Sequence, residues 1–195
     1  MGDPDAALLD ALRAGDEDAF ASLVSRYHTR LLHFAESMVP TREVAEEAVQ
    51  DTWLGVVRGI DRFEGRSSVK TWLFRILINR AKTAGAYEPR NAPLEYEDVL
   101  EGRFGASGAW DQPPEPWADL IDSRIAADKF ARQVKECLPQ LPVAQRQVLT
   151  LHDIEGLAST EVCDLLGVSA ANQRVLLHRA RARVRSILEM EMGAS

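Results

Sequence analysis

The sequence predicts an all-α protein: two small helical domains joined by a Pro-rich acidic linker, the second containing a helix-turn-helix. Three observations predict it. Apolar residues recur at helical spacing through both ends of the chain, with no segment of convincing strand alternation. Between about Glu88 and Trp117 the composition changes abruptly, with Pro89, Pro93, Pro113, Pro114 and Pro116, several glycines, and seven acids against Arg90 and Arg103. That is linker chemistry, too rich in helix breakers to pack a core. Near the C-terminus, a short apolar helix, a glycine and an arginine-studded helix follow one another. The predicted division is 1–87, 88–117 and 118–195.

In chain order, residues from about Asp5 to Tyr87 read as helices with few breakers. The segment Glu43–Val57 is amphipathic: Val44, Ala45, Ala48, Val49, Thr52 and Val56 can pack inward. Glu46, Glu47, Gln50, Asp51 and Leu54 can point outward. This acidic surface repels DNA, so it either faces a protein or is simply solvated. Arg66–Lys82 reads as a further helix, with Val69, Leu73, Ile76, Leu77 and the stem of Arg80 inward. Trp72, Arg75, Asn79 and Lys82, at steps of three, four and three, form the opposite stripe. With Phe63 and Arg66 just before it, that face suits unpaired bases: rings stack, cations follow phosphates, and the amide reads an edge. Taken alone, Trp72 is equally readable as a core residue.

After the linker, an apolar stripe of Leu120, Ile121, Ile125, Phe130, Val134 and Leu138 ends at Pro139 and Pro142. A helix over about Val143–Ile154 follows. In the helix-turn-helix, Val162, Leu165 and Leu166 pack inward, Gly167 turns the chain, and Ser169 is an N-cap. Val175, Leu176, Ala180 and Val184 continue the inward stripe of the second helix. Arg174, Arg179, Arg181, Arg183 and Arg185 lie on that helix, with no acid between Ser169 and Ser186. Guanidinium groups contact phosphates and guanine edges alike, and the helix's N-terminal end, with Asn172, Gln173 and Arg174, normally meets the bases.

Charge sets a constraint. The 195-residue chain carries net charge −7, whereas unaided DNA binding needs a basic balance. DNA binding is therefore weak alone, or a second protein supplies the phosphate contacts. Cys137 and Cys163 lack zinc-ligand spacing and fit a reducing compartment. No membrane-spanning run and no signal segment is apparent, so a cytoplasmic protein without membrane insertion is expected. His28, His33, His152 and His178 are scattered, so no enzyme, metal site or cofactor is expected. A stand-alone DNA-binding regulator remains as the competing class, but it leaves the Trp72–Lys82 face unexplained.

GDEDAFASLVSRY (15–27), AEEAVQDTWL (45–54), FEGRSSVKTWLFRILINRAK (63–82) and LPVAQRQVLTLHDIEGLASTEVCDLLGVSAANQRVLLHRAR (141–181) occur in this order. In that order they resemble the opening helix, polymerase-binding helix, promoter-melting segment and promoter-binding domain of the extracytoplasmic-function group of bacterial sigma factors. The resemblance implies a non-catalytic specificity subunit that takes core RNA polymerase, promoter DNA and an anti-sigma factor as partners. It implies clamp docking through Glu47, Gln50, Asp51 and Leu54. It implies minus-ten recognition and melting through Phe63, Arg66, Trp72, Arg75, Asn79 and Lys82. Minus-thirty-five recognition falls to Gln173, Arg174, Val175, His178, Arg179 and Arg181. The resemblance also implies that the linker enters the RNA exit path.

Four departures from the family pattern are visible, the first being a linker longer than the pattern, whose Trp110 and Trp117 can anchor it on the protein's own domains or on a regulator. Ala158 stands where a Ser or Thr cap is usual, so Ser159 is expected to cap instead. Cys163 replaces a small residue and is expected to be buried. Val175 and Leu176 make part of the recognition helix apolar, which suits thymine methyl groups.

Overall fold

The computed structural model describes residues 6–83 and 133–193, and every regular element in them is helical. The predicted linker, with Trp110 and Trp117, lies outside the described residues, as does the stripe from Leu120 to Phe130. The described residues fall into two compact units, 6–83 with 142–178, and 133–141 with 179–193.

In the first unit, α1 (Ala6–Arg13) buries Leu9 and Leu12. Gly15 turns the chain, and Asp16 starts α2 (Glu17–Ala35) by accepting from the N–H groups of Asp18 (2.9 Å) and Ala19 (3.1 Å). Such a cap is worth about 1 kcal/mol. Thr41 begins α3 (Arg42–Gly59), which tightens into a 3-10 turn at Ile60–Arg62. Ser68 starts α4 (Val69–Thr83), its hydroxyl accepting from Thr71 N–H at 3.1 Å. The core is where these helices cross: Leu23, Leu31 and Phe34 of α2, Val49 and Val56 of α3, and Leu73, Phe74, Leu77 and Ile78 of α4. Phe34 and Phe74 meet edge to face at 5.3 Å between centroids, worth about 1 kcal/mol beyond area burial. Phe74 and Ile78 join the expected inward stripe, whereas Ile76 is only half-buried.

The same unit holds α5 (Val143–Leu149), α6 (Ser159–Leu166) and the start of α7 (Ala170–Gly193). The helix expected to run to Ile154 is α-helical only to Leu149, and Thr150–Ile154 is a π-turn closed by Glu155 N–H donating to the Thr150 carbonyl at 2.8 Å. One extra residue in a turn rotates everything after it, and here it accompanies the burial of Glu155. The Glu155 side chain is 3% exposed and sits 2.7 Å from an Arg30 nitrogen, while Arg30 Nε donates to its other oxygen at 3.2 Å. Lys70 donates to the Glu155 carbonyl, and Thr71 donates to Glu161 at 2.6 Å.

At α6, the expected cap at Ser159 is not found. Ala158 occupies the N-cap, and the Glu161 carboxylate accepts the Ala158 N–H at 2.9 Å; alanine has no side-chain oxygen to accept in return, so only this half of a capping box forms. Gly167, at φ +70°, ends α6 in the left-handed region, where a side chain would be strained. Ser169 caps α7 through Asn172 N–H at 3.1 Å, as expected.

Cys163 is half-buried rather than buried, and Cys137 is the fully buried thiol. In the second unit, Val134, Cys137 and Leu141 are buried, as are Ala180, Val184, Ile187 and Leu188 along α7. Among the described residues, no helix is long and apolar enough to cross a membrane.

Candidate nucleic-acid interface

A cleft of about 500 Å³ opens beside α3 and α4. Its floor is set by small residues on α3. A Cβ at Gly59 would come within 3.3 Å of the Trp72 ring, and one at Gly55 within 3.0 Å of Ile76. Glycine at these two positions lets the α4 side chains lie close against α3. Trp72 is half-buried and packs on Phe63 at 4.6 Å between centroids, tilted 34°. The two readings of Trp72 are therefore both partly right: one side is anchored, and the other lines the cleft. Phe63 also lines it but is only 7% exposed. Its ring backs Trp72 more than it offers a stacking surface, which corrects the expectation of two presented rings.

Arg66, Arg75 and Asn79 line the cleft and are exposed, as the stripe predicted. Arg62, which the pattern did not single out, lines it too, and so does Arg80, which is exposed although its stem was expected inward. Glu64 is the acid among the lining residues and lies 3.0 Å from Arg66 Nε, with both side chains exposed. An exposed pair of that kind is weak and readily exchanged for a phosphate. Lys82 borders a neighbouring cleft of about 420 Å³, with Arg75, Ile78, Asn79, Asp164 and Leu165. Aromatic ring, amide and guanidinium groups thus surround a hollow large enough for a base, the chemistry that holds unstacked nucleotides.

Of the outward stripe expected on α3, Glu46 is half-buried. Glu47, Gln50, Asp51 and Leu54 are all exposed. Val57 (59% exposed) and Arg58 extend it, and Leu54 is itself 52% exposed. Two bare aliphatic side chains among acids are a surface suited to a protein partner. At the start of α3, the Glu43 carboxyl is held below its ordinary range by its own backbone N–H and the Thr41 hydroxyl.

On α7 the expectation needs two corrections. Gln173 is 1% exposed and cannot reach DNA from its place in the packed stripe. Its polar side chain occupies a core position, and the Nε2 group has no hydrogen-bond partner. Val175, expected both inward and on the reading face, is 37% exposed, so it belongs to the outer face. Leu176 is buried. Arg174 is exposed, while His178, Arg179 and Arg181 are half-buried. Gln173→Leu is expected to raise stability by about 1 kcal/mol, because it removes an unsatisfied buried donor; urea denaturation measures it.

Residues 23–85 match the family model for sigma-70 region 2, and residues 131–184 that for sigma-70 region 4. The chain is 27% identical over 181 residues to the ECF RNA polymerase sigma-E factor of Escherichia coli strain K12, covering 92% of each.

The chain belongs to the extracytoplasmic-function group of sigma factors.

The sigma-E factor of Haemophilus influenzae is also 27% identical, over 188 residues and 95% of each chain. Two solved structures share the fold. CnrH in complex with the cytosolic domain of CnrY superposes with a TM-score of 0.56 at 24% identity, covering 95% of this chain and 97% of that one. The sigma factor RpoE in complex with the anti-sigma factor NepR from Bartonella quintana gives 0.53 at 23% identity, covering 87% and 96%. The cleft and the α3 stripe lie within the region 2 match, and residues 174–181 of α7 lie within the region 4 match.

Proposed function

We infer that this sigma factor binds core RNA polymerase, directs it to specific promoters and helps open the DNA. The observation that carries this is the cleft: an anchored Trp72 lines it together with Arg66, Arg75 and Asn79, on the same chain as a helix-turn-helix. The chain is non-catalytic and cytoplasmic in this reading. It works as residues 1–87 for polymerase docking and melting, 88–117 as linker, and 118–195 for upstream recognition.

The α3 stripe, Glu47 to Leu54 with Val57, docks on the polymerase. The cleft takes a base flipped from the non-template strand, which costs a few kcal/mol of unstacking and is offset by the pocket contacts. Arg174 and Val175 read the upstream element as duplex, with His178, Arg179 and Arg181 alongside on the same helix. Docking also accounts for the net charge of −7, since the polymerase supplies the phosphate contacts. The solved relatives are complexes with CnrY and with an anti-sigma factor, which supports an anti-sigma partner here.

Run-off transcription with purified core polymerase on genomic promoter fragments tests the reading. Discrete transcripts that need both components support it. Tight, polymerase-independent footprints on a palindrome would point to a stand-alone regulator. Within that assay, Arg174→Ala is expected to weaken use of the upstream element by about 1–3 kcal/mol and relax its sequence choice.

A further inference from the structure

We propose that Arg13, which lies outside the region 2 match, is a positioning residue for the base-binding cleft. The inference rests on the melting role assigned above to that cleft. Arg13 is the last residue of α1, and its guanidinium donates to the Phe63 carbonyl at 2.6 Å, across 50 positions of sequence. It also meets Asp10 at 3.2 Å, an exposed contact within its own helix. The Phe63 bond is the one with consequence. It is short and charge-assisted, and it falls on the residue that closes the 3-10 turn and opens the 63–68 loop. That loop forms one wall of the cleft, contributing Phe63, Glu64, Arg66 and Ser67.

The loop is held at two ends. At its far end, Ser68 is tied into the first turn of α4 through Thr71 N–H at 3.1 Å and Trp72 N–H at 3.0 Å. At its near end, Phe63 N–H donates back to Ile60, and the Phe63 carbonyl is held by Arg13. Fixing that carbonyl fixes ψ of Phe63 and with it the direction in which the 63–68 loop leaves the Phe63–Trp72 pair. Without Arg13, the wall gains freedom just where the ring pair is set. A site that must select one base needs its supporting residues held firmly. Arg13 touches no base in this arrangement, and its effect passes through Phe63 and Trp72.

The test uses the full chain reconstituted with core polymerase on a template library randomised over the minus-ten element, reading transcripts by sequencing. Arg13→Gln is expected to lower discrimination at the captured base about tenfold, the scale of one charge-assisted hydrogen bond, with polymerase co-elution unchanged. Asp10→Asn, which spares the Phe63 bond, is expected to keep the wild-type profile. A uniform loss across all templates would mean a merely structural role and would overturn the proposal. So would an unchanged profile in Arg13→Gln while Trp72→Ala flattens it. If Trp72→Ala also leaves the profile intact, the melting role of the cleft falls first. Hydrogen exchange on the isolated protein gives a second reading: the amides of residues 64–67 should exchange faster in Arg13→Gln while those of α3 do not, and equal protection would overturn the proposal.

Discussion

Trp72→Ala is expected to cut promoter opening by about 10- to 100-fold, the range set by base–aromatic stacking of about 1–3 kcal/mol. The loss should fall on opening and spare polymerase docking. Trp72 stands on α4 over Gly59 and against Phe63, with its remaining surface lining the cleft. The exposed stripe Glu47–Leu54 lies on the outer side of α3 and does not include it. Permanganate reactivity of thymines at the start site reads opening, and co-elution with core polymerase reads docking. Trp72→Phe should recover much of the activity, since a ring remains on Phe63. Equal loss of docking and opening, or no loss of either, would contradict the assignment.

Glu155→Ala is expected to destabilise the first unit by about 3 kcal/mol, the lower part of the range for breaking a buried ion pair. The Glu155 side chain is 3% exposed and its partner Arg30 is 37% exposed. Arg30 can therefore regain some water when the carboxylate is removed, which keeps the cost from the top of that range. The Lys70 bond goes to the Glu155 backbone carbonyl and survives the substitution. Glu155→Gln should cost less, because the amide oxygen can still accept from Arg30 Nε. Urea denaturation gives the change, and a double-mutant cycle with Arg30→Ala isolates the pair. A coupling below about 1 kcal/mol would show that the pair behaves like an exposed one.

The residues that the sequence disclosed and those it hid differ in a physical way. Helix positions, the outward run Glu47–Leu54 and the exposed Arg75, Asn79 and Arg174 follow from local periodicity, and the structure places them as that periodicity requires. Gln173 misled because a polar side chain on an otherwise apolar stripe looks like a surface residue. Only packing shows that its position is 1% exposed. Gly55 and Gly59 had a usable signal, since small residues four apart on one helix mark a close crossing, but the ring above them belongs to another helix. Arg13 and Arg30 carried none: their partners Phe63 and Glu155 lie 50 and 125 positions away. The π-turn at Thr150–Ile154 was equally silent, because an extra residue in a turn leaves the apolar spacing on either side unchanged.

By itself, then, the sequence determined the all-helical class, the order of segments, the charge that demands a partner, and much of the outward faces of α3 and α4. Those are properties of neighbours three and four residues apart, which a helix of fixed pitch brings together wherever it lies. The tertiary structure alone decided that Phe63 is a backing ring, that Gln173 is core, that Glu155 is buried against Arg30, and that a cleft exists beside Trp72. Each of those depends on which helices touch and how closely, and no local pattern records that distance.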